Sequence, residues 1–172
     1  MQTAISNITK LFNGYSTEAI SSIEKIPQSG GDRIYFRIKT YNTSFIAAYS
    51  TNIKENQTFI NFSAQFKNAN APVPQIVAVN DDQTIYIQED FGDTSLLNVL
   101  ETEGHNEHVY QLYKKSLLAL ANLQINGDKG LNYDWCITSK EFGKQAIISD
   151  LLYFKYYFLD TLKIPYDKEK LI

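Results

Sequence analysis

Arg33-Ile34-Tyr35-Phe36-Arg37-Ile38-Lys39, followed after a turn by Phe45-Ile46-Ala47-Ala48-Tyr49, is the stretch that decides the fold. In the first run Ile34, Phe36 and Ile38 share one face, while Arg33, Tyr35, Arg37 and Lys39 share the other. A period of two marks a strand with one apolar and one polar side. Tyr41-Asn42-Thr43-Ser44 reads as a turn, so the two runs make an antiparallel hairpin. Upstream, Ala19 to Ile26 alternates and adds a strand that Pro27 and Ser29-Gly30-Gly31-Asp32 break.

Working outward, Thr3 to Phe12 has helical spacing and a stop at Asn13-Gly14. Asn56 to Asn68 is a helix carrying Phe59, Phe62 and Phe66 on one face, ended by Asn70-Ala71-Pro72-Val73-Pro74. Gln75 to Val79 and Thr84 to Glu89 are two more strands, hinged on Asn80-Asp81-Asp82. Past Phe91-Gly92-Asp93 the pattern turns helical. Ser95 to Leu100 follows a bend at Gly92, with Asp93 or Thr94 as the cap. Glu107 to Gln124 should bury Tyr110, Tyr113, Leu117, Leu120 and Leu123, and Ser139 to Leu162 should be one long aromatic-rich helix. The expected fold is α+β: a five-stranded antiparallel sheet with a helix packed on it, then a partial all-helical lobe. The expected division is residues 1–92 and 93–172.

Composition narrows the function. The chain has 172 residues, 44% hydrophobic and 20% charged, with a net charge of -3. That is globular composition with no general attraction for polyanions, which argues against nucleic acid as the partner. A single cysteine, Cys136, excludes a disulfide framework within the chain and suits a reducing cytosol. No apolar run approaches the ~20 residues that span a bilayer, and residues 1–10 carry no secretory pattern. A cytoplasmic location is the expectation.

Three features could carry chemistry. Gly30 and Gly31 sit between strands, ahead of Asp32 and Arg33, where backbone N–H groups can face a phosphate. A plain hairpin turn is the commoner reason for a Gly-Gly pair between strands. Arg33 and Arg37 share a strand face, and guanidinium groups suit phosphate, although exposed strand arginines are usually only solvated. Third, the strand ending in Gln88-Glu89 runs into Asp90-Phe91-Gly92-Asp93, which could pair its backbone with the edge of a flat base or simply start a helix. His105 and His108 lack the further ligands of a metal site.

Taken together, Ser29-Gly30-Gly31-Asp32-Arg33-Ile34-Tyr35-Phe36-Arg37-Ile38 resembles the glycine loop and second strand of the aminoglycoside phosphotransferase/choline kinase family. The resemblance is closest to the cell-wall amino-sugar 1-kinase branch, where a Gly-Asp pair is followed by Arg, an aromatic pair and Arg. Ala71-Pro72-Val73-Pro74-Gln75-Ile76 is similar to the family's approach to the fourth strand. Glu89-Asp90-Phe91-Gly92-Asp93 is similar to its hinge, and the stretch from Asp150 to Phe158 to its first large C-lobe helix.

The resemblance implies a kinase-like N-lobe and ATP-dependent transfer of a phosphoryl group to a small-molecule hydroxyl, with a sugar or amino sugar as acceptor. Gly30, Gly31 and Asp32 would shape the phosphate loop. Arg33 and Arg37 would neutralise phosphate, with Arg37 first by motif, and Glu89, Asp90 and Phe91 would line the base. Choline, homoserine or aminoglycoside kinases, and a non-catalytic pseudokinase-like module, stay open as alternatives.

Two departures from the family pattern matter. The third strand has no lysine, and the expected helix, Asn56 to Asn68, has no glutamate. The His-x-Asp loop and the metal-binding Asp motif are also missing. The 172 residues are therefore expected to be a fragment whose Mg²⁺ ligands and catalytic groups lie beyond Ile172. Its C-terminal helices would then be free to self-associate.

Overall fold

The computed structural model describes residues 2–28, 31–137 and 139–171. The fold is α+β, an open five-stranded antiparallel sheet with an N-terminal helix and a further set of helices. Contacts divide the chain into two units, Met1–Trp135 and Cys136–Ile172. The expected division after residue 92 falls inside the first unit, because the chain returns to the sheet's helix before it leaves. A 3-10 turn at Tyr133–Trp135 ends that return, where the Thr58 hydroxyl donates to the Trp135 carbonyl at 2.5 Å.

Helix α1 (Gln2–Tyr15) leads into strand β1 (Ser22–Lys25), the hairpin β2 (Ile34–Lys39) and β3 (Ser44–Tyr49), and helix α2 (Ile53–Asn68). Strands β4 (Ile76–Val79) and β5 (Ile85–Glu89) follow. The sheet order is β1-β2-β3-β5-β4, so the late strand β5 inserts beside β3 and leaves β4 at the edge. Register pairs Phe36 with Ala47 and Ala47 with Ile87, which fixes which side chains share a face.

The apolar face is covered by α1. Ala4, Ile8 and Phe12 of α1 form one buried cluster with Phe36, Ile38, Ala47, Ile85 and Ile87 of the sheet. Helical spacing marks Ile8 and Phe12 of this stripe, and α1 runs through the expected stop at Asn13-Gly14 to end at Tyr15. The edge strand carries a register shift between Ile76 and Ala78, and the prolines at 72 and 74 precede it. A bulge and nearby prolines are common devices that keep an open edge from pairing with another chain.

Helix α2 begins three residues earlier than periodicity suggests. The Asn52 side chain accepts from the Glu55 N–H at 3.2 Å, so Asn52 caps the helix and residues 53–55 join it. This corrects the expectation of a helix without glutamate, for Glu55 lies in its first turn. Asn56, fully buried, donates through its amide to the Ser50 and Gln83 carbonyls at 3.1 and 2.8 Å. It ties the helix start to the β4–β5 hairpin.

After the sheet come α3 (Leu96–Glu103) and α4 (Glu107–Asn126). Ser95 caps α3 in a reciprocal box with Asn98, where Asp93 or Thr94 was expected, because Asp93 is held by an arginine. In α4 the expected buried face is open: Tyr110, Tyr113, Leu117 and Leu120 are exposed, and Val109 is buried. Its C-terminal end meets α2, with the Gln65 amide donating to the Lys129 carbonyl at 2.8 Å.

The second unit is helical. Helix α5 (Lys144–Phe154) passes into a π-helical turn, Lys155–Asp160, where one long helix from Ser139 to Leu162 was expected. Stacked rings at i and i+4, Tyr153 on Tyr157 and Phe154 on Phe158, span the change of winding. Lys155 bonds Asp160 at 2.9 Å, which closes the wider turn.

Candidate functional site

The second sheet face is polar at one end and aromatic at the other. Register places Tyr35, Ala48 and Tyr86 in one row across β2, β3 and β5, and Arg37, Ile46 and Gln88 in the next. This is the face on which α2 lies, since Phe59 of α2 stacks on Tyr86 with ring centres 5.1 Å apart.

At the strand exit a cavity of about 310 Å³ opens against Tyr35, Arg37, Ile46 and Gln88 and against the chain from Glu89 to Asp93. Arg37 dominates it. Its Nε and Nη2 donate to the two oxygens of Asp90 at 2.6 and 3.2 Å. Its Nη1 and Nη2 donate to the two oxygens of Asp93, each at 2.7 Å. Such fork-to-carboxylate pairs are the strongest charge-assisted hydrogen bonds a side chain offers. Asp90 is only 4% exposed and also accepts from the Ser44 hydroxyl and the Gly92 N–H, both at 2.8 Å.

These contacts set the charges. Burial pushes the Asp90 carboxyl up, but the Arg37, Gly92 and Ser44 donors outweigh it and hold the group below the usual carboxylate range. Asp93 is held low chiefly by Arg37. The Arg37 guanidinium is in turn held firmly protonated, first by Asp93 and then by Asp90. Glu89 accepts from the Gln75 N–H at 2.8 Å and from Lys67 at 3.3 Å, so its carboxylate faces β4 and also sits low. Phe91 is exposed.

Gly92 has φ of 81°, which lets its N–H turn back onto Asp90. An alanine there is strained whatever the space around it. Gly92→Ala should cost about 1 kcal/mol of unfolding free energy, measurable by urea denaturation. A neutral result would mean that the exit turn tolerates another conformation.

At the other end of the face lies Arg33. Its Nη2 bonds the Glu55 carboxylate at 2.8 Å, and its side chain is 12% exposed. The guanidinium carbon stands 5.4 Å from the Phe59 ring centre and 5.8 Å from that of Tyr86, a cation–π arrangement. Arg33 Nη1 reaches the Tyr35 hydroxyl at 3.4 Å. Arg33 Nε, the Tyr86 hydroxyl and Gln88 Oε1 are buried with no hydrogen-bond partner among the described residues. Burial pushes the Tyr86 hydroxyl's pKa up, so this phenol stays neutral.

The structure thus brings together Arg37, Asp90 and Phe91 at the exit, with Glu89 turned toward β4. Arg33 lies near Gly31 and Asp32, both exposed, with the Gly31 carbonyl accepting from Gln28 at 3.1 Å. Gly30 lies outside the described residues. Sequence reasoning missed Glu55, Ser44 and Gln88. For Glu55 a signal existed: Asn52-Ile53-Lys54-Glu55 has the cap-and-acid spacing of a helix start.

Among the described residues no group of three His, Cys, Asp or Glu could hold a metal ion. His108 bonds Glu103 at 2.8 Å. Among those residues no helix is long and apolar enough to cross a membrane. Neither family models nor curated proteins give a match to this chain.

Proposed function

We propose that these residues are the nucleotide-binding lobe of an ATP-dependent phosphotransferase acting on a small-molecule hydroxyl, with a sugar-like acceptor. One observation carries the reading: a single sheet face has a cavity at the β5 exit and a cationic end beside the glycine turn. Strand β2 links the two. Arg37 lies four positions along from Arg33, a span of ~13 Å at the usual rise per residue. That span suits a base at the exit and a polyphosphate at the glycine turn.

Within this reading the chain's residues bind and orient. Backbone groups of Glu89 to Phe91 line the base, and the Gln88 amide oxygen accepts from its amino edge. Arg37 serves the site indirectly, by holding Asp90 and Asp93 so that the exit keeps its shape. Gly30, Gly31 and Asp32 shape the turn over the phosphates. Mg²⁺ would neutralise phosphate charge during transfer. At the exit Asp90 and Asp93 are engaged by Arg37 and Glu89 by Lys67, and among the described residues no group of acids forms a set for it, so no step here runs through the metal.

The chain contains no His-x-Asp motif. The proposal for these residues is therefore nucleotide binding, and transfer is proposed for a protein that joins them to such a motif. A second reading, nucleotide binding without transfer, is favoured by Ala47 and Ala48, which stand where a third-strand lysine would. ATP added to the 172-residue chain should raise its melting temperature and bind saturably in calorimetry. Absence of both effects would sink either reading.

A further inference from the structure

Kinase-like lobes commonly hold phosphates with a lysine on the third strand, fixed by a glutamate from the adjacent helix. Here that strand offers no cation. Ala48 is fully buried between its register partners Tyr35 and Tyr86. Arg37, the first choice from the motif, has Nε, Nη1 and Nη2 all bonded to Asp90 and Asp93. Lys39 gives its ammonium to Glu24 at 2.8 Å.

Arg33 is different on each count. It stands two residues beyond Gly31, immediately before β2. Its guanidinium lies over the ring of Tyr86, the register partner of Ala48 on the third strand. Glu55 of α2 holds it at 2.8 Å. Apart from that ion pair and the long contact to Tyr35, its remaining N–H donors have no hydrogen bond among the described residues. A guanidinium carries five N–H donors, so capacity remains for an anionic oxygen.

We infer that the Arg33–Glu55 pair is the phosphate anchor of this lobe, its cation supplied from the residue that enters the second strand in place of one on the third. Arg33 donates to the phosphate oxygens of the nucleotide. Glu55 is a positioning residue that fixes the guanidinium, with Phe59 and Tyr86 as its shelf. The inference rests on the nucleotide reading above and adds the identity of the cation.

The test titrates the 172-residue chain and its variants with ATP and with adenosine, at one salt concentration. The unmodified chain should bind ATP more tightly than adenosine. Arg33→Met should cut ATP affinity about tenfold or more, the value of a charge-assisted contact, and leave adenosine nearly unchanged. Glu55→Gln should lower the same ATP-to-adenosine ratio by a smaller factor, and Arg33→Lys should keep part of it. A general folding defect would move both ligands together and leave the ratio alone. Should Arg33→Met fail to fold, Glu55→Gln carries the test, and an unchanged ratio there overturns the anchor. ATP bound as well by a folded Arg33→Met as by the parent chain also overturns it and spares the nucleotide reading. If the parent chain binds neither ligand, both fall.

Discussion

Replacing Arg37 with methionine is expected to lower the unfolding free energy of the first unit by about 2–4 kcal/mol, read as a fall in urea midpoint. Methionine keeps most of the stem packing and removes the fork. What remains is Asp90, 4% exposed, with the Ser44 hydroxyl and the Gly92 N–H but no counter-charge. Breaking a buried pair on one side leaves the desolvation penalty of the other charge uncompensated. The expected cost stays below that of a fully enclosed pair because Arg37 retains 17% exposure and Asp93 is largely in water. Asp93→Asn should cost far less, since its carboxylate is already solvated.

The same pair fixes a pH dependence. The folded Asp90 carboxyl titrates below its unfolded value, so it binds protons less readily than in the unfolded chain. Its contribution is therefore complete above the unfolded carboxyl value of about 3.9. It is lost as pH falls through the lower folded value. The difference in stability between the parent chain and Arg37→Met should hold steady from neutral pH down to mild acid. It should then shrink as both states take up the proton. In Arg37→Met the buried carboxyl has lost its strongest donor, so that variant should gain relative stability first as pH falls. A difference that stays constant through the carboxylate range would mean the loss was one of packing and not of charge pairing.

Much of the sheet was legible because its residues alternate. Arg33 to Lys39 could be read directly, since each apolar position falls on the α1 face and each polar one on the other. The hairpin at Asn80 to Asp82 was legible for the same local reason. Less was legible wherever a long-range partner decides. Arg37 lies on β2 and Asp90 just past the end of β5, and the tie between them across the sheet depends on β5 inserting beside β3. Glu55 was missed because periodicity begins at the apolar stripe, while the helix begins at its cap. In α4 an apolar face was read as buried on the pattern alone. Pattern reports which side could be buried, and exposure depends on what is there to cover it. The π-helical turn at Lys155 to Asp160 has a comparable cause: a Lys–Asp bond and stacked rings favour a wider winding that apolar spacing cannot reveal.

The two faces of the sheet should respond to mutation in different ways, and Phe12 gives the larger response. Phe12→Ala is expected to cost about 3–5 kcal/mol, because its ring is fully buried among Ile38, Ala47, Ile87 and their neighbours. It also packs at a tilt against Phe45, with ring centres 5.4 Å apart, so its loss opens a cavity that α1 cannot close without moving. Phe59, on the other face, is only half-buried and forms the shelf for Arg33. Phe59→Ala should cost clearly less in a urea titration. The ligand response should run the opposite way. Phe12→Ala, while folded, should keep the ratio of ATP to adenosine affinity, since α1 packs on the sheet face opposite Phe59 and Tyr86. Phe59→Ala should lower that ratio, because the guanidinium loses the ring that orients it. Equal effects on stability, or an unchanged ratio in Phe59→Ala, would mean the division of labour between the faces is wrong. The α1 face holds the apolar core of the fold, and on the proposed reading the α2 face holds the nucleotide.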